Sequence, residues 1–199
     1  MACLFREGLG RSLQDLGSYF AVNSLVVILV QPLWLRLARR GGKARLYALA
    51  AVGFALVTAS WFFAGHSTGM GAILLRFAAS AVFVGGLLLM GQAMLPDTID
   101  HDWQRSGQRR EGIFSGIYTT VEKLSFALGG ACAGFTLQWF GYRSSTSGQA
   151  VAQSASAIDG IYFLAAAVPA ALMLASCIPL LLYPLRESEL TEESTHAPQ

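Results

Sequence analysis

The chain has 199 residues, of which 54% are hydrophobic and 13% are charged, and its mean hydropathy is +0.49. A soluble domain carries about 25% charged residues, so this composition excludes an ordinary soluble protein and indicates a membrane protein. The net charge of +2 gives no reason to expect a nucleic-acid partner. We expect no secretory signal peptide, because the first residues contain no apolar stretch followed by a cleavage site.

Five stretches are apolar enough for transmembrane helices, since a helix needs about 20 mostly apolar residues to cross a bilayer. The predicted spans are residues 19–38, 46–64, 71–95, 113–140 and 160–183. They must be helices, because an isolated strand would leave backbone groups unsatisfied in lipid. The predicted fold class is therefore all-α, a polytopic membrane helix bundle with about five transmembrane helices.

Basic residues are distributed unequally between the connectors, and cytoplasmic connectors are the basic ones. One side of the membrane collects Arg39, Arg40, Lys43, Arg45, Arg105, Arg109, Arg110 and Arg186, and the other side has Arg6, Arg11 and Arg143. This predicts an integral protein of the plasma (inner) membrane with an extracytoplasmic N-terminal segment, residues 1–18. The acidic tail, residues 184–199, is then cytoplasmic.

Two adjacent charges, Glu122 and Lys123, lie deep in the fourth predicted span. A charge inside a span costs about 2.5–3.5 kcal/mol, so it suggests a function. Neighbours in a helix point about 100° apart, so we expect each charge to have its own partner. Two interpretations stay open: an ion pair between helices, or the lining of a polar transport cavity. Lys123 shares a helix face with Thr119 and Thr120, which suits a pathway lining.

Other polar and small residues in the spans are candidates for the bundle interior. The amides of Asn23, Gln31 and Gln92 serve either helix–helix hydrogen bonds or substrate contacts, and the sequence does not separate the two. A patch of glycines on the fourth span predicts close helix packing. Its members are Gly112, Gly116, Gly129, Gly130 and Gly134.

A polar loop over residues 96–112 is predicted between the third and fourth spans, because its charges cannot lie in hydrocarbon. We expect it to be a cytoplasmic latch, in which the acids pair with Arg105, Arg109 and Arg110 or with another part of a larger protein. The remaining latch residues are Asp97, Asp100, Asp102 and Glu111. A calcium loop is not predicted, since the required glycine and final glutamate are missing. No metal site or catalytic motif is predicted anywhere, so we expect no enzyme.

The same region carries runs of residues that resemble one transporter family. The runs are Asp97-Thr98-Ile99-Asp100-His101-Asp102, Arg109-Arg110-Glu111-Gly112-Ile113-Phe114, Lys123-Leu124 and Ala127-Leu128-Gly129-Gly130. They resemble the glycoside–pentoside–hexuronide:cation symporters, the melibiose-carrier-like branch of the major facilitator superfamily. In that family the tenth helix ends in an Asp-x-x-Asp-Tyr-like run and a Gly-Lys-Arg-Arg-Glu-Gly loop follows. The eleventh helix then carries an intramembrane lysine before Ala-Leu-Gly-Gly.

The resemblance implies that the five spans correspond to helices 8–12 of a facilitator fold and that Lys123 faces the central cavity near a cation site. It also implies a sugar substrate and coupling to Na⁺ or H⁺, with no other cofactor. The sequence departs from the family pattern at Pro96, His101 and Glu122, and in length. The acidic residues that bind the cation in the family lie on helices of the amino-terminal half.

We therefore expect the C-terminal portion of a sugar or glycoside symporter that works by alternating access. It is expected to be inactive alone and to need an N-terminal half or a partner chain. Two alternatives stay open: a non-transporting remnant or accessory membrane subunit, and a facilitator for lipid or drug-like substrates. The sequence does not identify the sugar, the cation or the oligomeric state.

Overall fold

The computed structural model describes residues 9, 13–65, 67–143 and 153–181. Within these ranges the chain is helical apart from short connectors, and it contains no strand. The helices are α1 (Leu13–Gly41), α2 (Lys43–Ala59), α3 (Met70–Ser106), α4 (Glu111–Trp139), α5 (Ala155–Tyr162) and α6 (Val168–Leu181). A 3₁₀ turn, Ser60–Phe63, extends α2, and a π-helical turn, Phe163–Ala167, joins α5 to α6.

The all-α membrane fold class is confirmed. Four helical segments in the described ranges are long and apolar enough to cross a membrane: Gly17–Gly41, Lys43–Phe63, Met70–Ser106 and Ala155–Leu180. Helix α4 forms over 29 residues, but it is not among these four, so the fifth span stays a prediction. The Glu122–Lys123 pair lowers the apolar character of α4 at its middle. Two predicted segments lie wholly or partly outside the described residues. All of the acidic tail, residues 184–199, lies outside them, and of the N-terminal segment, residues 1–18, only residues 9 and 13–18 are described.

Helices α1 and α3 pack closely because glycines on α3 make room for side chains of α1. A Cβ on Gly86 would lie 2.5 Å from the Trp34 ring, and one on Gly85 would lie 2.7 Å from Val30. The buried Trp34 indole N–H donates a 2.7 Å hydrogen bond to the carbonyl of Val82. Small residues at helix contacts let backbones approach in membranes, so these glycines hold the two helices together.

Aromatic side chains close the opposite end of the α1–α2–α3 group. The Tyr19 and Phe77 rings stack at 5.3 Å between centroids, and Trp61 meets Phe77 edge-on at 5.5 Å. Ile73 and Ile161 are buried in the same cluster. Because Ile161 belongs to α5, this cluster joins the continuous segment from α5 to α6 to the first three helices.

The end of the third span differs from the sequence prediction. Residues 96–106 are not a loop: α3 continues to Ser106, and the connector to α4 is only residues 107–110. Bilayer thickness limits the apolar part of a helix, not the helix itself, which can project into water. Pro96 lies inside α3, and Gly107 ends the helix in the left-handed conformation, with φ 65°, as glycine does at many helix ends.

Candidate functional site

The predicted pathway residues Glu122 and Lys123 lie on the helix that is least covered by the rest of the chain. No residue of α4 is buried. Both charged side chains are exposed, and neither has a hydrogen bond or an ion pair among the described residues. The interpretation of an ion pair between helices is therefore not met within the described chain, and both charges stay available to a cavity or to another chain.

The neighbouring polar groups on α4 are satisfied by their own helix. The hydroxyls of Thr119 and Thr120 each donate a 2.8 Å hydrogen bond to the carbonyl four residues earlier, on Ser115 and Gly116. Such bonds leave the oxygen able to accept from a ligand. The Lys123 face thus combines one cation with two hydroxyl acceptors.

The predicted glycine patch of α4 faces open space. A Cβ added at any of these glycines would meet no atom within 4 Å. The predicted close helix approach is therefore not formed among the described residues. The residues concerned are Gly112, Gly116, Gly129, Gly130 and Gly134.

The two ends of α4 attach it to the bundle. Near its start, the Gln92 amide of α3 donates a 3.3 Å hydrogen bond to the Tyr118 hydroxyl. At its end, Phe140 packs on Phe163 with ring centroids 6.2 Å apart. Phe140 also packs against Gly160 so closely that a Cβ on Gly160 would lie 2.6 Å from the Phe140 side chain. Gln92 is exposed and contacts α4 through Tyr118, a partner that could not be predicted from the sequence.

The other two predicted amides serve helix–helix contacts. Asn23 donates to the Phe77 carbonyl at 3.3 Å, and Gln31 donates to the Gly85 carbonyl at 3.5 Å. Both bonds join α1 to α3. The sequence left helix packing and substrate contact open for these residues, and the structure uses their N–H donors for packing.

The predicted latch is rearranged. Asp97 pairs with Lys43 at the start of α2, and the lysine nitrogen lies 2.8 and 2.7 Å from the two carboxylate oxygens. Among the described residues the aspartates form no ion pair with arginines of the same connector. The reason is that α3 stays helical past Pro96 and so carries Asp97 towards α2 instead of folding back in a loop. The alternative, pairing with another part of a larger protein, stays a prediction.

The rest of the latch forms only local contacts. Arg109 lies 3.6 Å from Glu111 and its guanidinium sits 5.4 Å from the Trp103 ring centroid. Arg110 binds the Gln108 side chain at 2.8 Å. Asp100 has no ion pair in the described ranges, and one oxygen of Asp102 is buried there without a hydrogen-bond partner. No group of three or more His, Cys, Asp or Glu among the described residues could hold a metal ion.

A cleft of about 350 Å³ opens beside the Gln92–Tyr118 contact, between α2, α3, α4 and α6. Most of its lining is apolar, but it includes several hydroxyl groups. The lining residues are Tyr47, Gly91, Met94, Leu95, Thr98, Tyr118, Ser176, Pro179 and Leu180. This cleft could not be predicted from the sequence, because its walls come from helices far apart in the chain. Tyr118, four residues before Glu122 on the same helix face, was the available signal.

Comparison with known proteins identifies the family of the chain. The sequence profile of the family described as "MFS/sugar transport protein" matches residues 4–187. The chain is 32% identical over 126 residues to an uncharacterized symporter, sll1374, of Synechocystis, which is 62% of this chain and 23% of that protein. It is 32% identical over 97 residues to the putative glycoside/cation symporter YagG of Escherichia coli, which is 49% of this chain and 20% of that protein.

A third relative is closer in length. An uncharacterized 29.9 kDa protein of Pseudescherichia vulneris is 31% identical over 157 residues, which is 79% of this chain and 56% of that protein. The chain thus spans between about a fifth and just over half of the length of these curated relatives. No solved structure matches the chain significantly.

Proposed function

This chain belongs to the family of MFS/sugar transport proteins, and we propose that it forms one part of a sugar or glycoside symporter driven by Na⁺ or H⁺. The family is one of transporters, and the chain is an integral membrane protein by its apolar helices. The substrate class rests on the family description and on the printed name of the Escherichia coli relative. Because the relatives extend beyond the matched region, the activity is proposed for a complete transporter.

The observation that carries the proposal is the uncovered polar face of α4. In transporters built from two repeats, the substrate path is the interface between them, and one rocks against the other. A wall of that path must be polar and must lack a partner within its own half. The Lys123–Thr119–Thr120 face has both properties: it carries a cation and two hydroxyls, and the described residues leave it exposed.

We assign Lys123 to the pathway lining, where it holds an acidic partner or helps shape the cation site. Its ammonium would be too costly to leave in lipid, so a water-filled path or an acidic group on the opposite wall must surround it. Glu122 points about 100° away, on the side of Tyr118 and Gln92. It is a second candidate for the pathway, near the α3–α4 contact.

The glycine patch on α4 belongs to the same proposal. Its open faces would let a helix of the other half approach closely during rocking. The same faces also suit an accessory membrane subunit that docks on a partner without transporting. The two functions differ in whether uptake depends on Lys123.

Uptake of labelled glycosides tests the proposal in cells that express this chain with and without the N-terminal half of a relative. The chain alone should accumulate no sugar above empty cells, and the pair should accumulate it only under a Na⁺ or H⁺ gradient. Saturable, gradient-dependent uptake by the chain alone would show that no second wall is needed. No uptake by the abundant, assembled pair would favour the accessory role.

Lys123→Ala is the decisive variant, and Leu124→Ala is its matched control on the same exposed helix. We expect Lys123→Ala to abolish coupled uptake at normal abundance, whereas Leu124→Ala keeps it. Lys123→Arg should also be impaired, because the planar guanidinium does not replace a compact ammonium. Normal uptake by both Lys123 variants would remove this residue from the pathway.

A further inference from the structure

A basic cleft lies at the end of α1, away from the pathway face and outside the proposed function. Its volume is about 720 Å³, within the range of about 300–1,000 Å³ of sites that hold drug-sized ligands. Arginines and leucines line it together. The lining includes Leu33, Arg36, Leu37, Arg39, Arg40 and Leu46.

The helix period puts these two kinds of side chain on one face. Leu33, Arg36, Leu37 and Arg40 follow the spacing i, i+3, i+4, i+7, so they form one stripe along α1. The other side of α1 is occupied, since Trp34 is buried and bonds to α3. The stripe therefore faces away from the described bundle.

The charge of the cleft is uncompensated. Arg36, Arg39 and Arg40 are exposed and have no ion pair among the described residues. Neither α2 nor the span Gly17–Gly41 contains an acidic residue. The nearby Asp97 is already paired with Lys43, so the described residues supply no anion to balance the three guanidinium groups.

The position of the cleft along the membrane selects the kind of anion. The apolar segment of α1 in the structure is 25 residues long and ends at Gly41, whereas about 20 residues cross the hydrocarbon. The arginines in its last turns therefore reach the headgroup level, either directly or by extending their side chains. Leu33, which is 51% exposed, lies one to two turns deeper, where acyl chains begin.

We propose that this cleft binds an anionic phospholipid, with the phosphate on Arg36 and Arg40 and an acyl chain along Leu33 and Leu37. The guanidinium fork matches two phosphate oxygens, and basic pockets at the membrane surface are suited to anionic headgroups. A free phosphate ion would use the arginines but not the leucines. The combination of both along one stripe therefore favours a lipid.

The test uses the purified full chain in detergent, with phosphatidylglycerol and phosphatidylcholine of identical acyl chains competing for it. Bound lipid is counted by native mass spectrometry. Wild-type protein should prefer phosphatidylglycerol. Arg36→Gln with Arg40→Gln should reduce that preference by about 25-fold, since each basic residue near an anionic surface contributes about fivefold.

Arg45→Gln is the matched control, because Arg45 is exposed and lies outside the cleft lining. We expect Arg45→Gln to keep most of the preference. An equal loss in this variant would show diffuse attraction by the whole basic turn and would overturn the proposal. So would the absence of any preference in wild-type protein, a result that needs no variant to fold.

A third arm separates a lipid from a soluble anion. The melting temperature of the wild-type chain is measured with phosphatidylglycerol, with glycerol 3-phosphate and with inorganic phosphate. Only the lipid should raise it. An equal rise with either soluble phosphate would show that the leucines do not take part, and the site would then be an anion site and not a lipid site.

Discussion

The close contact between Gly86 and Trp34 predicts that a larger residue at position 86 lowers the free energy of unfolding. In Gly86→Ala the new Cβ would lie 2.5, 2.7 and 2.8 Å from three atoms of the Trp34 ring. The ring cannot withdraw freely, because it is buried and its N–H donates to the Val82 carbonyl at 2.7 Å. Overpacking of this kind costs about 1–3 kcal/mol, and losing the hydrogen bond would add about 1 kcal/mol.

Gly129→Ala is the matched control on α4. No atom lies within 4 Å of its new Cβ, and both substitutions gain up to about 1 kcal/mol of helix propensity. We therefore expect the two variants to differ by about 2 kcal/mol in the free energy of unfolding. For a chain of this size that corresponds to about 4–8 °C in melting temperature.

The assay is thermal unfolding in detergent, followed by far-ultraviolet circular dichroism. Gly86→Ala should melt below wild type and Gly129→Ala at or above it. In a Trp34→Phe background, which removes the fused ring, the cost of Gly86→Ala should shrink, because contacting residues are not additive. If the two glycine variants melt within about a degree of each other, the described α1–α3 contact is wrong.

Three further outcomes are expected. A double-mutant cycle with Lys43→Met and Asp97→Asn should give a coupling of about 1 kcal/mol, since the pair is partly exposed, and additive effects would argue against the ion pair. With the native cysteines removed, a cysteine at position 101, on the predicted cytoplasmic side, should not react with an impermeant maleimide on intact cells, whereas one at position 147, on the predicted outer side, should react. The reverse pattern would show that the predicted orientation is wrong. In the two-part transporter, Lys123→Ala should lose uptake at normal abundance, and unchanged uptake would contradict its place in the pathway.

The order of helices could be predicted from the sequence, because backbone polar groups in lipid find no water to bond to. A span must satisfy its own backbone hydrogen bonds, so long apolar runs in this chain had to be helical. The predicted spans 19–38 and 46–64 also leave room only for a short connector, and in the structure helix α1 ends at Gly41 and α2 begins at Lys43. Gly42, with φ 78°, adopts the conformation that this turn requires.

The end of α3 could not be predicted from hydropathy, because water accepts both a loop and a polar helix. The charges after Pro96 show that the segment leaves the membrane, but they do not show whether it stays helical. It remains helical to Ser106. That continuation changed the partner of Asp97 from an arginine of its own connector to Lys43, which is 54 residues away in sequence.

The roles of the polar groups inside the spans were decided by neighbours that the sequence does not specify. From the sequence, both packing and pathway roles were open for Asn23 and Gln31. In the structure, each side-chain amide donates a hydrogen bond to a backbone carbonyl of α3. Lys123 reads as buried from its depth in an apolar run, yet the packing of the other helices leaves its face exposed. The sequence thus determined that the apolar segments are helical, because bilayer physics acts on each segment separately. Which polar groups meet a neighbouring helix, and which stay exposed, depends on contacts between distant segments, and only the tertiary structure supplies those.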